Sequence, residues 1–93
     1  MADWKMEAEI EYCVPCGYGN LAAYMVSELF QAGGPALAIS LKPGAGGVFK
    51  VTVDGRVLWD KKEKGASPHI MQVKELKAQV ANMLKSGAVI QSN

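Results

Sequence analysis

Between residues 7 and 30 the chain changes period, and that change constrains its architecture more than any other feature. Residues 7 to 13 read Glu-Ala-Glu-Ile-Glu-Tyr-Cys, placing Glu7, Glu9 and Glu11 on one side and Ala8, Ile10 and Tyr12 on the other. A period of two is that of a strand with one buried face. Downstream, Leu21, Met25 and Leu29, joined by Ala22, Val26 and Phe30, have the spacing of a broad apolar helical face opposite Asn20, Ser27, Glu28 and Gln31. Pro15 stops the strand and suits the first turn of a helix, where its missing N–H leaves no bond unmade. Cys13-Val14-Pro15-Cys16 is therefore expected on a strand-to-helix turn, with Cys13 at the strand end and Cys16 in the opening helical turn.

The same reading carries through the rest of the chain. Gly33-Gly34-Pro35 ends the first helix. Leu37, Ile39 and Leu41 then alternate with Ala36, Ala38 and Ser40 in a second strand ending at Lys42-Pro43, and a strand–helix–strand unit is right-handed and parallel. Pro43 to Gly47 lacks the Lys and Ser or Thr of a nucleotide loop and reads as a flexible turn. Val48 to Val53 and Arg56 to Asp60 flank Asp54-Gly55, a pair suited to the two-residue hairpin turn. In a regular hairpin Val51 faces Leu58 and Lys50 faces Trp59, so Phe49, Val51, Val53 and Leu58 form the core face. Lys50, Thr52, Val57 and Trp59 then lie outside, where Lys50 and Trp59 form either a partner surface or a local cation–π contact.

Lys61 to Gly65 reads as a charged loop, and Ser67-Pro68 as the cap and first turn of a last helix. Ile70, Val73, Leu76, Val80, Met83 and Leu84 form its apolar stripe, Gly87 its stop, and residues 88 to 93 a frayed end. The order βαβββα gives an α/β (α+β) fold, a four-stranded mixed sheet with two helices packed on one face. Ninety-three residues are too few for two cores, so residues 1–93 form one domain with an ordered core from about 7 to 86.

Net charge is +1, which supplies no overall field for a phosphate backbone, and nucleic acid is not an expected partner. The charge is nonetheless divided: residues 1 to 49 hold two basic and five acidic side chains, residues 50 to 93 eight basic and four acidic. The longest apolar run, Leu21 to Val26, has six residues, far short of the ~18 that span a bilayer. Asp3, Glu7, Glu9 and Glu11 interrupt any signal-peptide core. A cytoplasmic, monomeric protein without membrane association is expected.

Cys13 and Cys16 are the only cysteines, and three roles compete for them. A structural bridge across two residues closes too short a loop to restrain the unfolded chain much. A zinc site needs two further ligands, and His69 is the only histidine; metal shared between two chains is the remaining form. No metal or cofactor is expected. A reversible dithiol needs thiols close enough to bridge and a setting that favours a thiolate, and a helix start provides the second. His69, following Ser67-Pro68, reads as solvated and not as a general base.

Glu11-Tyr12-Cys13-Val14-Pro15-Cys16-Gly17-Tyr18, after a short strand, resembles the start of the selenoprotein W, T and H group of thioredoxin-like proteins, the Rdx family. Gly47-Val48-Phe49-Lys50-Val51 is similar to that family's Gly-x-Phe-Glu-Val strand, and Asp54-Gly55 with Leu58, Lys61, Lys62, Gly65 and Pro68 follows its hairpin pattern. The resemblance runs from about residue 7 to 86 and implies a thioredoxin-like fold and thiol redox chemistry. Many relatives carry selenocysteine at the position of Cys16, which implies a redox-active atom there; the wider thioredoxin group attacks with the cysteine matching Cys13. Two departures, Lys50 for an acidic residue and Ala66-Ser67-Pro68 for a Phe-Pro approach to the last helix, bear on partner choice and leave the dithiol intact.

The expected function is thiol-disulfide exchange with glutathione or protein thiols, Cys13 attacking as the more exposed thiol and Cys16 resolving. Tyr12, Val14, Pro15, Gly17 and Tyr18 would shape the site, though both tyrosines read equally well as core. A non-catalytic redox-sensing module holding a partner through the turn and the Trp59 face is the alternative.

Overall fold

The computed structural model describes residues 4–91, with side chains through residue 85. Its elements are β1 (Met6–Cys13), α1 (Gly19–Gly33), a single 3-10 turn (Gly34–Ala36), β2 (Leu37–Gly44), β3 (Phe49–Val53), β4 (Arg56–Asp60), α2 (Lys61–Lys64) and α3 (Ile70–Gln91). The sheet order is β2-β1-β3-β4. β1 and β2 pair in parallel with Met6 opposite Leu37 and Cys13 opposite Gly44, while β3 pairs antiparallel with both β1 and β4. The four-stranded mixed sheet is thus as read from the sequence. β1, β2 and β4 all run the same way, so Cys13, Gly44 and Asp60 finish at one end of the sheet.

α1 and α3 cover one face. Met6, Ala8 and Ile10 of β1, Phe49, Val51 and Val53 of β3, Ala22, Met25 and Leu29 of α1, and Val73, Leu76 and Val80 of α3 form a continuous buried core. Glu28 meets Lys74 and Lys77, and farther along α1 a Cβ on Gly33 would touch Leu84. The two helices therefore run parallel, and both begin at the end of the sheet where Cys13 lies. Periodicity puts Glu28 on the outer face of α1 and Phe30 on the inner, and the structure reverses them. Glu28 is 7% exposed because α3 lies on that flank and brings its two lysines, whereas Phe30 is 56% exposed.

The Asp54-Gly55 turn forms as expected, with positive φ at both residues and Val53 opposite Arg56. One residue farther the hairpin departs from the regular pattern. Thr52 pairs with Val57 but Val51 pairs with Trp59, an irregularity that leaves Leu58 without a register partner. This β-bulge turns Trp59 onto the core face. Trp59 is 7% exposed, its Nε1–H donates to the Ala66 carbonyl at 3.1 Å, and Lys64, not Lys50, stands over its ring at 5.6 Å. The expected Lys50–Trp59 surface does not exist, because the two side chains lie on opposite faces of the sheet.

Other boundaries move for local reasons. Residues 61 to 64 form a helical turn instead of a loop, since Asp60 Oδ1 accepts from Lys62 N–H at 3.0 Å and Gly65 ends the turn at φ 82°. His69, not Ser67, precedes the first residue of α3: its Nδ1 accepts from Met71 N–H at 3.2 Å while Gln72 Oε1 accepts from His69 N–H at 3.0 Å. That reciprocal pair is a capping box, and it leaves Ile70 outside the core at 58% exposure. α3 runs past Gly87 to Gln91, consistent with the ~1 kcal/mol that one glycine costs a helix relative to Ala; residues 92 and 93 of the expected frayed end lie outside the described residues.

Candidate functional site

The period change read in the sequence occurs at the end of β1, a strand flanked on both sides by others. Cys13 continues the β1 ladder: its N–H donates to the Val48 carbonyl at 2.8 Å, and Val14 N–H donates to the Gly44 carbonyl at 2.9 Å. The chain then turns sharply. Gly17 N–H donates to the Val14 carbonyl at 3.0 Å and Tyr18 N–H to the Cys13 carbonyl at 3.3 Å. Gly17 has a φ of 81°, in the left-handed region that breaks a helix and suits glycine. For that reason α1 begins at Gly19 and not at Pro15, and Cys16 sits in the turn before the helix instead of in its first turn.

Cys13 and Cys16 are joined by a disulfide with their Cα atoms 5.3 Å apart, inside the span a bridge tolerates. Their surroundings differ sharply: Cys13 is 0% exposed, whereas Cys16 is exposed, as are Val14 and Pro15 beside it. The expectation that Cys13 is the more accessible thiol is thus overturned. Burial follows from the bonds to Gly44 and Val48, which draw the loop between β2 and β3 against the end of β1; Cys16, past the turn, is held by no such bond. Among the described residues, no three His, Cys, Asp or Glu side chains are grouped to hold a metal ion.

The helix beyond the turn influences charge at the site. Tyr18 occupies its N-cap without a side-chain hydrogen bond, and no acidic residue lies in its first turn. The positive partial charge of the first N–H groups is therefore left facing the turn. Tyr18 stands edge-on to Phe49, ring centroids 6.2 Å apart, and Tyr12 also packs against the core. Both tyrosines anchor the turn to the core, which is the packing reading of these residues. His69 is exposed and occupied in capping α3.

Sequence reasoning singled out the turn but missed what encloses it. Gly44 comes from the stretch read as a flexible turn and Val48 from the start of the expected third strand; the parallel register of β1 with β2 sets Gly44 beside Cys13, and the Val48 carbonyl accepts from Cys13 N–H. Glu11 leans over Gly44, where a Cβ would meet Glu11 Oε2 at 3.3 Å and Val48 Cγ1 at 3.0 Å. Beside this loop lies an open groove of about 500 Å³ bounded by Gly46 to Val48, Glu11, Lys50 and the segment from Asp60 to Lys62. The lysines were legible only as surface charge.

The mouse protein named migration and invasion enhancer 1 is 27% identical over 73 residues, 78% of this chain and 63% of that protein. Its bovine counterpart is 28% identical over 60 residues, 64% of this chain and 51% of that protein. The chain thus spans between half and two thirds of these relatives. Among solved structures, a protein from Bordetella parapertussis is 33% identical with a TM-score of 0.71, the match covering 81% of this chain and 95% of that one. A selenoprotein W-related protein from Vibrio cholerae is 27% identical, also at a TM-score of 0.71, over 86% of this chain and 96% of that one. The sequence pattern of one family extends over residues 7–82, from the first strand through most of α3 and across the bridged cysteines. On that match the chain belongs to the Rdx family.

Proposed function

We propose that the protein is a thiol-disulfide oxidoreductase or redox regulator in which Cys16 exchanges with a partner and Cys13 resolves. The observation that carries this is the asymmetry of the bridge, one sulfur on an exposed turn and the other wholly buried. In the reduced protein the Cys16 thiolate attacks one sulfur of a partner disulfide, forming a mixed disulfide and releasing the partner's other sulfur as a thiolate that takes a proton from water. The Cys13 thiolate then attacks Cys16 Sγ, the mixed bond breaks, and the partner leaves as a second thiol. The partner has gained two electrons and the protein holds the Cys13–Cys16 bridge. Two equivalents of glutathione, or a protein dithiol, reverse the sequence.

Family membership supports redox chemistry of the thioredoxin-like kind, and the uncapped start of α1 favours negative charge at the turn. A monomeric, cytoplasmic protein acting on protein thiols or glutathione, without nucleic acid, completes the proposal; no helix among the described residues is long and apolar enough to cross a membrane. The interaction-module alternative relied on an exposed Trp59 and loses that support, since Trp59 is buried. Titration against glutathione redox buffers, with alkylation and mass spectrometry of both cysteines, tests the reading. One two-electron transition between about −180 and −300 mV is expected. Absence of the Cys13–Cys16 bridge at every potential overturns it.

A further inference from the structure

From the groove beside the dithiol we infer that the preferred partner is a protein segment whose reacting cysteine is flanked by acidic residues, which lie against Lys61 and Lys62. The inference rests on the exchange function proposed above and specifies its substrate class.

The groove adjoins the loop that holds Cys13. Its floor, Gly46 to Val48, belongs to the loop whose Val48 carbonyl holds Cys13 N–H. Glu11, two residues before Cys13 on β1, is the groove's other boundary. On the opposite side stand the end of β4 and the start of α2. β4 lies two strand spacings from β1, about 10 Å, a reach of three extended residues. In the proposed complex, a partner segment engaged at Cys16 lays residues three or four positions away across the groove.

Charge in the groove is not balanced. Glu11 and Lys50 are register partners across β1 and β3, and the Asp60 carboxylate receives Lys62 N–H as the cap of α2. The lining thus holds three lysines against two carboxylates. Among the described residues no carboxylate forms an ion pair with Lys61 or Lys62, whereas Lys74 and Lys77 meet Glu28. Lys61 Nζ lies over Gly47, 3.9 Å from where a Cβ would stand, and the absence of a side chain there leaves it open to an incoming carboxylate.

The test uses short peptides containing one cysteine as its uncharged 2-thiopyridyl disulfide, with a pair of Glu, Ser or Lys residues beginning three positions away on either side. The Cys16 thiolate attacks the peptide sulfur, 2-thiopyridone leaves and is read by absorbance, and Cys13 then releases the peptide thiol. At low salt the Glu peptide is expected to react about tenfold faster than the Ser peptide and the Lys peptide slower still, with the spread collapsing in high salt. In Lys61→Gln/Lys62→Gln protein the Glu-to-Ser ratio should fall to within about twofold, while Lys85→Gln, on α3, keeps it.

Equal rates for the three peptides in protein that still forms the Cys13–Cys16 bridge overturn the inference and leave the exchange function standing. A Glu preference that survives the double substitution removes it from this groove. If inorganic phosphate at matched ionic strength abolishes the preference more effectively than a cysteine-free Glu peptide, the groove is a small-anion site and the protein-segment assignment fails. Failure to form the bridge with 2,2′-dipyridyl disulfide sinks the inference together with the reading beneath it.

Discussion

Reduction of the bridge should leave two thiols with very different reactivity toward iodoacetamide. Cys16 is exposed on its turn, so its thiolate meets the reagent directly. Cys13 is 0% exposed and reacts only when the end of β1 opens. That opening breaks three backbone hydrogen bonds, from Cys13 to Val48 at 2.8 Å, from Val14 to Gly44 at 2.9 Å and from Tyr18 to Cys13 at 3.3 Å. None of them depends on the sulfur–sulfur bond, so they persist after reduction. At a net ~1 kcal/mol each, opening costs about 3 kcal/mol, and with tenfold per 1.4 kcal/mol Cys13 should be modified ~10²-fold more slowly than Cys16. Pulse alkylation of freshly reduced protein, followed by peptide mass mapping, gives both rates in one experiment, and full denaturant supplies the control in which they converge. Gly44→Ala sharpens the test, because its Cβ would press on Val48 Cγ1 at 3.0 Å and should speed Cys13 selectively. Native rates within about threefold of each other, or faster modification of Cys13, would refute the assignment of roles.

Two further substitutions probe the frame that holds the site. Trp59→Ala should lower unfolding free energy by about 3–5 kcal/mol, seen as a fall in the urea midpoint, whereas Lys50→Ala, on the other face, should change it by less than about 0.5 kcal/mol; equal effects would mean that the bulge is wrong. Gly33→Ala puts a Cβ 2.8 Å from both Leu37 Cβ and Leu84 Cδ1, and an overpacking cost of about 1–3 kcal/mol should outweigh the usual helix gain of alanine, so an unchanged or raised midpoint would contradict the packing of α1 against β2 and α3.

What the sequence made legible was local. Period two in residues 7 to 13, the Asp54-Gly55 turn and the glycines after α1 each act through neighbours a few residues away, and each appears where the pattern puts it. The bulge in β4 is different in kind. Val57, Leu58 and Trp59 are three consecutive apolar residues, so alternation cannot say which parity faces inward. Area decides it. An indole buries about 150–250 Å², worth about 4–6 kcal/mol at ~25 cal/mol per Å², whereas one interrupted ladder bond costs about 1 kcal/mol. The strand therefore gives up its regular register to take Trp59 inside, and Val57 is left 46% exposed.

The unequal exposure of the two cysteines has a comparable cause. From Cys13-Val14-Pro15-Cys16 alone, both residues sit on a turn and either could be the open one. The difference arises some thirty residues away, where the parallel register brings Gly44 beside Cys13 and the β2–β3 loop returns the Val48 carbonyl to its N–H. Closing β1 in this way shields the Cys13 sulfur from solvent, while Cys16, just before the left-handed Gly17, stays exposed. Glycine here serves two ends, leaving room for Val48 and Glu11 at Gly44 and for Lys61 above Gly47. The stretch that looked least structured in the sequence is thus the one that sets the two sulfurs apart in exposure and borders the surface on which a partner would be chosen.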